Sequence, residues 1–105
     1  MTLYAPGFPW SKYPGEKHLP QHNFTGPGTR LDLRLDENNN PLPNSKPINR
    51  IDQAAYKHDL VYLNEDIHIR RQADSDLINE LNNIQNPTTR EIVERFCSIK
   101  ILQVK

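Results

Sequence analysis

Proline and glycine stop abruptly in the middle of this chain. Eight of its nine prolines, at 6, 9, 14, 20, 27, 41, 43 and 47, precede Ile48, as do all four glycines, at 7, 15, 26 and 28. Beyond that point stands one proline, Pro87, and no glycine. Proline removes a backbone donor and glycine loses the most conformational entropy on folding, so helix interiors disfavour both. Residues 1–47 are therefore expected as loops and extended segments, and 48–105 as helices. A chain of 105 residues holds one small domain, and 1–105 is read as that. Only 35% of its residues are apolar, so the core must be lean.

Three helices are expected in the second half. The first runs from about Asn49 to Asn64 and, at ~100° per residue, sets Ile51, Ala54, Ala55, His58, Val61 and Tyr62 on one face. The second runs from about Gln72 to Ile84, with Leu77, Ile78, Leu81 and Ile84 as its apolar stripe. Asp74 falls on that stripe one turn earlier, whereas Asp76 turns toward water. The link Glu65–Arg71 is short enough for the two helices to pack antiparallel. Pro87 and the pair Thr88 and Glu91 mark the start of the third helix. Its buried face is expected to be Ile92, Val93, Phe96 and Ile99, with Cys97 at the border as a small hydrophobe. The stretch Asp36–Pro47 reads as a polar, turn-forming loop.

The chemistry gathers around His58 and Asp59. His58 stands on the face of helix one that meets Asp74 of helix two. A carboxylate on one imidazole nitrogen fixes the tautomer and leaves the other nitrogen to take a proton. Tyr62, one turn on, can reach the same carboxylate. The three would equally make a satisfied buried hydrogen-bond network with no chemistry. Asp59 is rotated ~100° from His58 and projects toward a flanking loop. Calcium takes several oxygens, often a carboxylate together with backbone carbonyls. The segment Phe24-Thr25-Gly26-Pro27-Gly28 can supply carbonyls, and its glycines leave N–H groups open to an oxyanion. An ordinary Gly-Pro-Gly turn is the plain alternative.

Phe24-Thr-Gly26-Pro-Gly28, His58-Asp59-x-x-Tyr62 and Ala73-Asp74-x-x-Leu77 together resemble the phospholipase A2 family. The resemblance spans residues 19–84. It is greatest to the disulfide-free branch found in the unique region of parvovirus minor capsid proteins. It implies a mainly α fold in which two antiparallel helices carry the active site, with an N-terminal calcium loop at 24–28 and a C-terminal helix. It further implies calcium-dependent hydrolysis of the sn-2 ester of glycerophospholipids, with a phospholipid membrane surface as substrate. His58 would be the base acting through water, and Asp74 and Tyr62 would orient it. Asp59 and the carbonyls of Phe24, Gly26 and Gly28 would hold Ca2+, and the Gly26 N–H would meet the oxyanion. Membrane breaching by a virion is the implied role, at the virion or a host endosomal membrane. Phe24 stands where tyrosine is usual, the glycine loop lies further from His58 than in most viral relatives, and Asp74 lies closer to it. A catalytically inactive phospholipid-binding module and a structural domain of a capsid or assembly protein are the competing classes.

The remaining features exclude more than they suggest. Lys+Arg and Asp+Glu number 13 each, which argues against a nucleic-acid partner and against strong electrostatic capture by anionic lipid. Cys97 is the single cysteine, so no disulfide can form within the chain. Pro6 and Pro9 break the N-terminal stretch, which is not read as a signal peptide, and an intracellular site is expected outside a viral setting. No apolar run approaches the roughly 18 residues of a spanning helix. Tyr4, Phe8, Trp10, Tyr13 and Phe24, with Leu3 and Leu19, are expected either to cover the core or to meet lipid. His18 and His22 are read as loop histidines, because Pro20 between them opposes a zinc-binding helix. His68 is read as a solvated link residue and Arg70-Arg71 as a charged helix start.

Overall fold

The polar linker preceding Ile48 delivers the chain to a well-capped helix. Asn49 is extended and its side chain accepts the Asp52 N–H, opening α2 at Arg50–Val61. This computed structural model describes residues 10–26 and 28–103, with side chains to Lys100. Leu3, Tyr4, Phe8 and Pro27 lie outside the described residues. Before α2 come one helical turn, α1 at Leu31–Arg34, and a 3₁₀ turn at Pro43–Ser45. After it come α3 at Ile67–Asn82 and α4 at Thr89–Gln103. Extended pairing among the described residues is limited to two isolated bridges, Trp10 with His18 and Leu35 with Pro41. The split between a loop-rich first half and a helical second half is as expected.

α3 begins five residues before the expected Gln72. Asp66 caps it by accepting the His68 N–H at 2.8 Å, and Asn64 Oδ1 accepts the Asp66 N–H at 2.8 Å. The link is therefore residues 62–66, and His68 is an exposed helical residue. Ile67 and Ile69 are also exposed, so this first stretch carries no apolar stripe for periodicity to detect. Contacts between α2 and α3 run in opposite directions. His58 meets Asp74, Lys57 meets Glu80, and Arg50 reaches the Gln85 carbonyl just past the end of α3. The pair is antiparallel.

The apolar core is small: Ile51 and Ala54 of α2 against Leu77 and Leu81 of α3, with Ile84 and Ile99 packed on it. Val61, expected in this seam, is exposed. α4 turns most of its expected buried face outward, and of that face only Ile99 packs on the core. Its capping box is present, with Thr88 Oγ1 accepting the Glu91 N–H and Glu91 Oε1 accepting the Thr88 N–H. Its inner face, however, is Glu91, Glu94 and Ser98, all buried, whereas Ile92, Val93 and Phe96 are 47%, 57% and 66% exposed. The buried acids have partners that hydropathy cannot foresee. Arg50 of α2 takes Glu91 at 2.6 Å, and Asn49 donates to Glu94 at 2.8 Å. An acid with a bound cation or donor can turn inward where an unpaired one cannot.

Candidate active site

His58 stands in the α2–α3 seam beside Ala54 and Ala73, small residues that leave room for an imidazole. Its Nε2 lies 2.6 Å from Asp74 Oδ1, and the Tyr62 hydroxyl donates to Asp74 Oδ2 at 2.9 Å. One carboxylate of α3 therefore holds His58 of α2 and, one turn on, Tyr62 at the C-cap of that helix. The His58 and Tyr62 rings lie with centroids 4.5 Å apart, and the Arg70 guanidinium lies over the Tyr62 ring at 5.4 Å from its centroid. Burial opposes the imidazolium, but the carboxylates of Asp59 and Asp74 outweigh it and raise the His58 pKa above its ordinary value. Burial and the bond to Asp74 also raise that of Tyr62.

The other imidazole nitrogen faces a different neighbour. Nδ1 is 3.8 Å from Asp59 Oδ1, an electrostatic neighbour beyond hydrogen-bond length. Both residues line a cleft of about 250 Å³ with Gly26, Gly28, Thr29, Leu31, Tyr62 and Leu63. The glycine loop thus forms one wall of the space that His58 and Asp59 enter. Asp59 Oδ2 is buried there without a hydrogen-bond donor. Burial raises its carboxyl to about 6. An orphaned buried carboxylate oxygen in a cleft walled by the glycine loop fits a hard cation, which would remove the cost of its desolvation. Among the described residues no three His, Cys, Asp or Glu side chains gather as metal ligands, so a cation here would rest on one carboxylate and neutral oxygens.

The glycines are required by their backs. Gly26 and Gly28 have φ of +142° and +78°, and a Cβ on them would fall 1.9 Å from the Lys17 carbonyl oxygen and 2.1 Å from that of Gly15. Residues 15–17 are the bed on which the loop lies. Phe24 buries its ring 5.0 Å from that of Tyr56.

Sequence reading missed what ties this loop to α2. Asp52 is fully buried two turns before Asp59. Its Oδ1 accepts from the Phe24 N–H at 2.8 Å and Thr25 Oγ1 at 3.0 Å, and its Oδ2 from the Asn23 and Ile48 N–H groups at 3.0 and 3.1 Å. Burial would raise its pKa, but His22 and these backbone donors lower it below the usual range. His22, also fully buried, bonds Thr25 Oγ1 at 2.8 Å and has Glu94 of α4 2.8 Å from its Nε2, close but without hydrogen-bond alignment. An aspartate at the third position of a capped helix is too common for its spacing to signal such a role. His18 is a buried loop residue too, and burial lowers its pKa against the pull of Glu16 3.4 Å away.

A family model described as a phospholipase A2-like domain matches residues 15–100. No curated protein and no solved structure matches the chain.

Proposed function

Since the chain belongs to the phospholipase A2-like domain family, we propose that it is a calcium-dependent phospholipase A2 that cleaves the sn-2 ester of glycerophospholipids. The observation that carries this reading is the division of His58 between two neighbours. Nε2 is held by Asp74 at 2.6 Å while Nδ1 lies 3.8 Å from Asp59, with which His58 lines the cleft beside the glycine loop. The bond to Asp74 places the ring proton on Nε2 and leaves the Nδ1 lone pair to take a proton from water. Water so activated attacks the ester carbonyl, and the imidazolium then returns its proton to the leaving alcohol. Asp74 steadies the imidazolium, and Tyr62 keeps Asp74 in place.

Asp59 and the carbonyls of Phe24, Gly26 and Gly28 would hold the calcium ion. A calcium ion bound there would supply the positive charge that favours an oxyanion at the ester carbonyl. Gly26 offers its N–H to the same oxyanion. Asp52 keeps the loop in register with α2. No helix among the described residues is long and apolar enough to cross a membrane. Membrane breaching by a virion is the biological setting we attach to this activity, on the strength of the motif resemblance.

The test is release of fatty acid from mixed glycerophospholipid vesicles, with and without a calcium chelator. Turnover that needs calcium and disappears in His58→Gln is expected. Activity that survives either treatment would sink the mechanism, and vesicle binding without turnover would point to a non-catalytic lipid module.

A further inference from the structure

Thr29 lies in the cleft with Asp59, and its hydroxyl oxygen is 3.2 Å from the Gly26 carbonyl oxygen and 3.5 Å from that of Phe24. A hydroxyl has one proton, so it cannot satisfy both carbonyls fully. Asp59 Oδ2, in the same cleft, meets no donor at hydrogen-bond geometry, although the Thr29 hydroxyl is near enough to draw the Asp59 pKa down against the larger effect of burial. The corner is therefore rich in oxygen and poor in protons, the opposite of a settled hydrogen-bond network. The spacing is informative as well. Two oxygens that bind one calcium at about 2.4 Å, at right angles, stand about 3.4 Å apart. Thr29 Oγ1 stands at that separation from two of the carbonyls proposed as ligands. It is also a neutral oxygen, of the kind calcium accepts beside a single carboxylate.

We infer that the Thr29 hydroxyl is a further oxygen ligand of the divalent cation, completing the set formed by Asp59 and the loop carbonyls. The assignment rests on the calcium site proposed above. It gives the cation a second side-chain ligand, from the residue immediately after the glycine loop. The hydroxyl proton, freed from the two carbonyls, would turn outward from the ion.

Two isosteric variants of the full chain test it. Thr29→Val removes the oxygen and keeps the shape, while Thr29→Ser keeps the oxygen. Calorimetric titration with Ca2+ should show affinity about tenfold weaker in Thr29→Val and near wild type in Thr29→Ser. Terbium luminescence decay in H2O and D2O counts waters on the bound ion, and the count should rise by about one in Thr29→Val as water fills the vacated position. Without calcium, Thr29→Ser should melt like wild type and Thr29→Val lower by no more than the loss of its hydroxyl contact to the loop carbonyls, which separates ligation from folding. Wild-type affinity and an unchanged water count in Thr29→Val would overturn the Thr29 assignment alone. Absence of Ca2+ binding by the wild-type chain would overturn the calcium site and Thr29 with it.

Discussion

Glu16→Gln should destabilise the fold by roughly 3 kcal/mol near neutral pH, with about half of that left near pH 3. Glu16 is almost fully buried. Its carboxylate accepts from Arg34 Nε and Nη2 at 2.6 and 2.7 Å, and from the Arg30 and Tyr13 N–H groups at 2.9 and 3.1 Å. Burial alone would raise its pKa, but Arg34 and the Arg30 N–H outweigh this and bring it from 4.5 to about 2. A depressed carboxyl stabilises the fold above its unfolded pKa, and the contribution fades as pH falls through the folded one. The window here runs from 4.5 down to about 2. At ~1.4 kcal/mol per pH unit, that gap gives the predicted magnitude, in line with the ~3–5 kcal/mol lost when one partner of a buried pair is removed.

Urea unfolding of wild type and Glu16→Gln at about pH 7 and about pH 3 measures both numbers. A loss under about 1 kcal/mol at neutral pH, or one that does not shrink on acidification, would refute the reasoning. The variant should also weaken the response to calcium. Glu16 fixes residues 15–17, the bed against which Gly26 and Gly28 lie with no room for a Cβ.

Other outcomes follow from the cleft. Calcium at ~100 times its Kd should add about 2.7 kcal/mol to unfolding stability, read as a rise in melting temperature. Asp59→Asn should abolish that rise, and a rise that persists would remove Asp59 from the site. Gly26→Ala should cost the loop its place, since the new Cβ would sit 1.9 Å from a backbone oxygen, and calcium titration should register the loss. Tyr62→Phe removes the hydroxyl on Asp74 but spares the His58 contact. Stability should fall by about 1 kcal/mol and lipid hydrolysis should slow without stopping, as unfolding and fatty-acid release would show.

The elements that sequence could place are those whose signals are local. Asn49 and the Thr88–Glu91 box start α2 and α4 as their chemistry dictates, and the contrast in proline and glycine divides the chain correctly. The wheel that sets Asp74 rather than Asp76 toward His58 also holds, because Asp74 lies one turn before the buried Leu77 while Asp76 is turned out to solvent. The start of α3 failed for a physical reason: Ile67 and Ile69 lie exposed on its first turns, and Asp66 caps it without an accompanying stripe. The orientation of α4 failed because its inner face is polar. Asp52, His22, Thr29 and Glu94 could not be singled out, because their partners lie 28 to 72 positions away or depend on how the glycine loop turns.

These failures share a cause, which bears on how a loop-rich half can be held without disulfides. The core described above contains few large side chains, and one cysteine cannot form a cross-link within the chain. Buried carboxylates take over the tying. Glu16 gathers Tyr13, Arg30 and Arg34, and Arg34 extends the knot to Asn23 and Ser45. Asp52 gathers Asn23, Phe24, Thr25 and Ile48 onto α2, and Glu94 brings α4 to His22 and Asn49. Each acid collects donors from segments that are remote in sequence, which a cross-link would otherwise do, and each ends at residues that border or carry the glycine loop. Removing one donor from such a knot leaves a buried acceptor unsatisfied, at about 1–3 kcal/mol. Removing the acid leaves several donors unsatisfied at once. The loop's geometry therefore depends more on Glu16, Asp52 and Glu94 than on any apolar contact it makes, and substitutions at these acids should disturb the cleft before they disturb the α2–α3 seam.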